Sequence, residues 1–295
     1  MWENYKHGSA RGLITRRNYQ VMKSTIQNFI LILAILLMQM EVQAQLKQFE
    51  GVDGCFILYD LKSDKELVRY GDKRCAERVV ACSTFKIPLA LMAYDKGVLK
   101  DESDLLKWDG VRREVPSHNK DHTAATWMRD SVVWYSQALT PKLGKGTIEK
   151  YLNDFGYGNH DMSGGLDVAW LTEVPSKTTL KASADEQIQF IAKLFKSQLS
   201  VSKHAMDTTK KIMYLEKSTN GFELSGKTGS GSPIFAGKKV RVGWFVSHVQ
   251  RGDQELVAVT AFTDTRKDPP YKYGGPAAKD ITKSILTEKG YWAKP

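Results

Sequence analysis

Beyond its first 44 residues the sequence has no Gly/Ser-rich or Pro-rich linker, no repeat and no low-complexity tract. A string of tethered modules is therefore excluded, and one compact body is the simplest organisation. Charged residues make up only 26% of the chain against 42% hydrophobic, which excludes a disordered polyelectrolyte and supplies enough apolar surface for a full core. Cysteine is scarce: Cys55, Cys75 and Cys82 are all there is. Their spacing fits no zinc pattern, and no His/Asp/Glu cluster has ligand spacing, so no metal site is expected. Basic residues outnumber acidic ones, 43 to 33, but they are scattered among acids and do not cluster with aromatics, which argues against a nucleic-acid partner. A solvated basic surface remains, one whose field favours anionic substrates.

Long apolar runs are also missing, with one exception. Phe29-Ile-Leu-Ile-Leu-Ala-Ile-Leu-Leu-Met38 follows Lys23 and precedes Val42-Gln-Ala44, the pattern of a secretory signal with a small-residue cleavage site. The run is short for a bilayer span, which needs roughly 20 apolar residues. Residues 1–44 are read as a signal peptide, either with a long basic leader or with Met22 as the true start. An uncleaved anchor is the alternative. If the signal is cleaved, residues 45–295 form an exported, periplasmic domain with no stable membrane insertion. Three of the ten net positive charges leave with the signal.

In the oxidising exterior three cysteines leave at least one unpaired. Cys55 and Cys75 lie on neighbouring segments and could pair. Cys82 reads as a small buried packing residue, with a thiol nucleophile as the sharper rival.

Gly54–Tyr59 and Lys65–Tyr70, joined by a polar turn, have the form of a hairpin. Ser83–Lys96 reads as a buried helix, with Pro88 tolerable in its first turns and Gly97 as its stop. From about 100 to 200 the pattern is helical. Segments 221–227, 240–249 and 255–263 then read as three strands, followed by a helix around 276–287. Strands at both ends with helices between them predict an α+β fold: an antiparallel sheet flanked by helices and carrying a helical insertion.

Ser83 and Lys86 stand three apart, so on a helix an amine lies beside a hydroxyl. A lysine in apolar company loses its charge and can take the proton of a serine nucleophile. The same spacing recurs at Ser117–Lys120 and Ser200–Lys203, so the pattern alone does not choose. Lys227-Thr-Gly229, expected at the end and open edge of a strand, could hold a substrate carboxylate, and Ser131-Val-Val133 adds a second hydroxyl. On its own Ser131 reads as a helix cap or turn residue.

Ala81-Cys-Ser-Thr-Phe-Lys-Ile-Pro88, Ser131-Val-Val133, Tyr157-Gly-Asn159, Trp170-Leu171, Lys227-Thr-Gly229 and Gly243-Trp-Phe-Val246 stand in the order and spacing of the class D β-lactamases, the oxacillinases, which the chain resembles from about Gly54 to Leu286. The resemblance implies a serine β-lactamase or penicillin-binding-protein transpeptidase-like fold. It implies β-lactam substrates and hydrolysis through an acyl-enzyme on Ser83. Backbone N–H groups of Ser83 and Ser230 would form the oxyanion hole, and Ser131 would relay a proton to the leaving nitrogen with Lys227 tuning the charge. Lys86 would be carboxylated by carbon dioxide or bicarbonate and act as general base in both half-reactions. Trp170 and Val133 would support the carbamate, and Thr228, Gly229, Ser230 and Tyr157 would contact substrate. No other cofactor is implied, and the chain is taken as a monomer or dimer.

Two stretches depart from the family pattern. Trp170–Gln187 is several residues longer than usual, so the Trp170 loop is expected to sit differently. The arginine that many members use for the substrate carboxylate has no clean counterpart, which leaves Arg266, Lys272 and Lys279 as candidates. A β-lactam sensor that stays acylated and a D,D-peptidase are the competing readings. The second is disfavoured by Val133, where such enzymes carry Asn.

Overall fold

The structure is a computed structural model that describes residue 23 and residues 46–235 and 237–293. The signal expected over residues 1–44, with its alternative start at Met22, lies outside the described residues, Lys23 apart. Residues 47–295 form one compact unit. Among the described residues no helix is long and apolar enough to cross a membrane.

The central sheet has six strands: β1 (Asp53–Asp60), β2 (Lys65–Tyr70), β3 (Tyr214–Lys217), β4 (Glu223–Gly231), β5 (Arg241–Arg251) and β6 (Gln254–Asp264). Their spatial order is β2-β1-β6-β5-β4-β3. All neighbours are antiparallel, and the pairing of β1 with β6 joins the two ends of the chain. Cys55–Leu58 of β1 and Val242–Val249 of β5 are buried on successive residues rather than alternate ones. Such strands need cover on both faces. Helix α8 (Gly274–Glu288) packs against β4, β5 and β6, while α6 (Ala184–Phe195) packs against β1, β5 and β6.

The remaining helices are α1 (Asp72–Ala76), α2 (Lys86–Asp95), α3 (Ala124–Asp130), α4 (Val133–Leu143), α5 (Lys145–Phe155) and α7 (Lys203–Ile212). Helix α2 is buried along almost its whole length and contacts α4, α5 and α7, so it is the axis of the helical insertion. A disulfide links Cys55 of β1 to Cys75 of α1, and Cys82 is free and buried.

Two expectations are corrected by these elements, and some short strands went unread. The helix read over Ser83–Lys96 is a 3₁₀ turn, Cys82–Phe85, followed by α2 from Lys86. Pro88 thus sits in the first turn of α2, where its missing N–H costs nothing, and Gly97 at φ +66° provides the left-handed stop. Lys227-Thr-Gly229 does not end a strand: β4 continues to Gly231. Finally, β3 and short pairs such as Val79–Val80 with Lys181–Ala182 had no readable alternation, because two to four residues are too few to show a period.

Candidate active site

The nucleophile turn is held from several directions. Ala81 N–H donates to Leu180 O (3.1 Å), and Trp244 Nε1 of β5 donates to Val80 O (3.0 Å). Inside the turn the Thr84 hydroxyl donates to Ala81 O (2.6 Å) and lies 3.1 Å from the Tyr157 hydroxyl, while Gln187 Nε2 of α6 donates to both oxygens at 2.9 and 3.1 Å. Cys82 takes a left-handed φ of 51°, a conformation that costs a non-glycine residue of order 1–2 kcal/mol. These contacts over-determine the turn and keep it there. Ser83 is the one residue of Cys82–Phe85 that is not buried.

Lys86 Nζ donates to Ser83 Oγ at 3.1 Å. Its side chain is fully buried. Burial, and next the neighbouring positive charge of Lys227, hold its amine well below the ordinary lysine range. Burial also pushes the Cys82 thiol upward, which makes a thiolate there unfavourable. The geometry therefore favours the Ser83–Lys86 pair over the Cys82 alternative.

Ser131 caps the C-terminus of α3 at φ 61° and ψ 35°, a second strained non-glycine residue. The bland reading as a cap is correct for its backbone, whose N–H donates to Trp127 O. Val132 is buried in the core, and Val133, half-buried, opens α4.

Strand β3 pairs only with Glu223–Ser225 of β4, so from Gly226 onward the edge of β4 is free of β3 and faces the nucleophile turn. The expected open edge exists, but along the second half of a long strand. Gly226 N–H donates across that edge to Met213 O. By the alternation of an antiparallel ladder, Thr228 and Ser230 also direct their N–H and C=O groups to the open side. Side chains alternate in the other sense. A Cβ at Gly229 would stand 3.2 Å from Cys82 Cβ and Thr84 Cγ2, so Lys227 and Gly229 face the turn. Thr228 and Ser230 face α8, where the Ser230 hydroxyl accepts from Gly275 N–H at 2.8 Å. Lys227 is buried, its Nζ donates to Thr228 O (2.9 Å), and burial lowers its pKa to about 7.

Trp170 is fully buried and its ring lies 4.8 Å from that of Phe85, the residue before Lys86. Its Nε1 is a buried donor with no partner among the described residues. The long loop that follows therefore does not pull the indole out of the core. His118, whose ring nitrogen meets Asp130 O at 2.9 Å, lies near enough to Lys86 for that positive charge to add to burial in lowering its pKa.

Tyr157 is a correction. It was expected to touch substrate, but it is fully buried with its hydroxyl committed to Thr84 and Gln187, so it braces the turn from behind. Of the three carboxylate candidates, Arg266 and Lys279 are held by carboxylates, and Lys272 is exposed. Arg266 pairs with Asp264 at 2.9 Å and Lys279 with Glu216 at 2.6 Å, while Lys272 lies 3.6 Å from Glu114 and over the Tyr273 ring. Gln187 escaped the sequence reading. Its one signal is an amide on the apolar face of a helix whose capping box, Ser183 with Glu186, fixes where that face points.

Residues 54–287 match the penicillin binding protein transpeptidase domain. The chain is 38% identical over 248 residues to Beta-lactamase OXA-1 of Escherichia coli, covering 82% of this chain and 83% of that protein. The solved structure of Class D beta-lactamase BAT-2 superposes with a TM-score of 0.73 at 36% identity, covering 84% of this chain and 96% of that one. A weaker match, 29% over 242 residues, is to Regulatory protein BlaR1 of Bacillus licheniformis, of which only 38% is covered against 82% of this chain. With a buried amine against a serine hydroxyl at the centre of a matched transpeptidase fold, the chain belongs to the class D serine β-lactamases and is a β-lactam-hydrolysing enzyme.

Proposed function

We propose that Ser83 Oγ attacks the lactam carbonyl, that the carbon–nitrogen bond of the ring breaks, and that water then cleaves the Ser83 ester to release the opened acid. The observation that carries the reading of Lys86 is a pair of buried groups: a fully buried amine 3.1 Å from Ser83 Oγ, where burial disfavours its charged form, and the Trp170 indole N–H, which lacks an acceptor among the described residues. Only a neutral amine adds carbon dioxide, losing one proton to give a carbamate, and an indole can donate to such an anion but never compete for its proton. The carbamate supplies a general base for the acylating serine and for the deacylating water.

The other residues have parts suited to their positions. Backbone N–H groups of Ser83 and Ser230 hold the oxyanion, the second supported by its direction along the open edge of β4. Ser131 passes a proton to the leaving nitrogen, and Lys227 supplies positive charge nearby. Thr228, Gly229 and Ser230 offer the strand edge to the substrate, and Val133 borders the carbamate together with Trp170. Export to the periplasm is supported by the apolar run ahead of Ala44 and by the Cys55–Cys75 disulfide, a bond that persists in oxidising compartments.

The test is a nitrocefin time course with and without bicarbonate, with intact-protein mass spectrometry alongside. Sustained turnover that bicarbonate raises, and a labile mass of one carboxyl group on Lys86, are expected. A single burst ending in a stable adduct on Ser83 would instead favour a sensor. Faster cleavage of a D-Ala-D-Ala peptide than of any penicillin would favour a peptidase.

A further inference from the structure

Three segments that the reaction needs in register meet at Gly231. A Cβ there would stand 2.6 Å from Cys82 Sγ of the nucleophile turn and 2.8 Å from Thr172 Cγ2 of the Trp170 loop, so the tail of β4 is pinched between them. One residue on, Ser232 N–H donates to Thr172 Oγ1 at 3.0 Å. The rest of that loop closes on itself: the Thr178 hydroxyl donates to Leu171 O (2.7 Å) and Val174 O (3.2 Å), Lys177 N–H donates to Val174 O (2.9 Å), and Thr179 and Leu180 both donate to Ala169 O. The residues after Trp170 thus form a knuckle whose far end is held by the Thr179 hydroxyl, which donates to Asp161 O, and by Ala81 N–H, which donates to Leu180 O, and Thr172 ties its near end to the catalytic strand.

We propose that Thr172 is a positioning residue: its hydroxyl latches the Trp170 loop to the end of β4 and so fixes the indole N–H where a carbamate on Lys86 would need it. Thr172 stands two residues from Trp170, too close along the chain for the tether to leave the indole free. The Trp170 ring rests on Phe85, inside the turn whose Cys82 forms the opposite jaw on Gly231. Untying the latch leaves the Ser232 N–H without its acceptor and frees the knuckle to move against the turn. This inference rests on the carbamate reading of Lys86, and the test separates the two.

The experiment compares Thr172→Val, which keeps the shape and loses the acceptor, with Thr172→Ser, which keeps the acceptor. In Thr172→Val the bicarbonate concentration for half-maximal penicillin hydrolysis should rise roughly tenfold, the worth of one well-made hydrogen bond. At saturating bicarbonate kcat should be retained, and hydrogen exchange at the Trp170 indole N–H, followed by NMR, should quicken. Thr172→Ser should restore both readouts. A Thr172→Val enzyme with unchanged bicarbonate dependence and unchanged indole exchange overturns the latch. If the unaltered enzyme takes up no label from isotopic bicarbonate, the reading of Lys86 has failed instead, and indole exchange alone then decides for or against the latch.

Discussion

Burial, and after it the positive charge of Lys227 on β4, lowers the pKa of Lys86 at the head of α2, although the two lysines belong to opposite halves of the chain. Each is buried, and each is easier to bury uncharged. The site therefore holds two amines whose pKa values burial lowers from the ordinary lysine range.

The first prediction concerns pH. Lys227 has a pKa of about 7, so without bicarbonate its ammonium form, and kcat/KM with it, should fall as pH rises through 7. A carbamate on Lys86 would place an anion nearby and raise that pKa, so saturating bicarbonate should move the alkaline limb upward by about one unit or more. Stability has the opposite slope. The folded pKa lies below the unfolded value of 10.5, so between about 7 and 10.5 the unfolded chain binds more protons and stability rises with pH across that window. Rate profiles and thermal melts over that range check both signs.

Trp170→Phe keeps a ring against Phe85 and removes the donor together with part of the indole's buried volume. Activity without added bicarbonate should drop by roughly 10- to 100-fold and recover in part when bicarbonate is supplied, while the cavity left by the smaller ring should cost about 1–3 kcal/mol of stability. A variant as active as the parent in bicarbonate-free buffer would contradict the role given to the indole.

Much of this was legible in the sequence because the motifs lie on elements with strong periods. The long runs of β1, β5 and β6, the apolar α2 and the final helix read correctly, since eight or more residues reveal how a segment is buried. What failed to read depended on contacts between distant segments. The partnering of Thr84, Tyr157 and Gln187 joins residues more than a hundred positions apart, and nothing local in Tyr157-Gly-Asn159 says that the ring is turned inward. The same holds for Lys279, whose charge looked available until Glu216 of β3 proved to hold it, whereas the Asp264 that holds Arg266 stands only two residues away.

Tyr157→Phe tests the correction directly. Thr84 and Gln187 keep each other, so the loss should be about 0.5–1.5 kcal/mol, and KM should stay unchanged across penicillins because the ring has no exposed surface. Gln187→Leu should cost more, about 1–3 kcal/mol, because both buried hydroxyls lose their amide donor, leaving Tyr157 with Thr84 alone and Thr84 with Tyr157 and Ala81 O. Denaturant melts and substrate kinetics on both variants distinguish a brace from a binding residue.

Ser131 offers the sharpest separation of chemistry from strain, because its backbone and its hydroxyl are asked to do different things. At φ 61° an alanine keeps the strain and loses the hydroxyl, whereas a glycine loses both. If the hydroxyl carries the proton to the leaving nitrogen, both variants should lose about 10²- to 10⁴-fold in acylation rate. They should nevertheless diverge in stability. Ser131→Gly should exceed Ser131→Ala by up to about 1 kcal/mol, because relief of the left-handed strain outweighs the flexibility that glycine gives the unfolded chain. Stopped-flow acylation together with thermal melts would show it. Equal stability in the two variants would mean that the turn between α3 and α4 relaxes when the serine is replaced, and full activity in Ser131→Ala would remove the hydroxyl from the proton path.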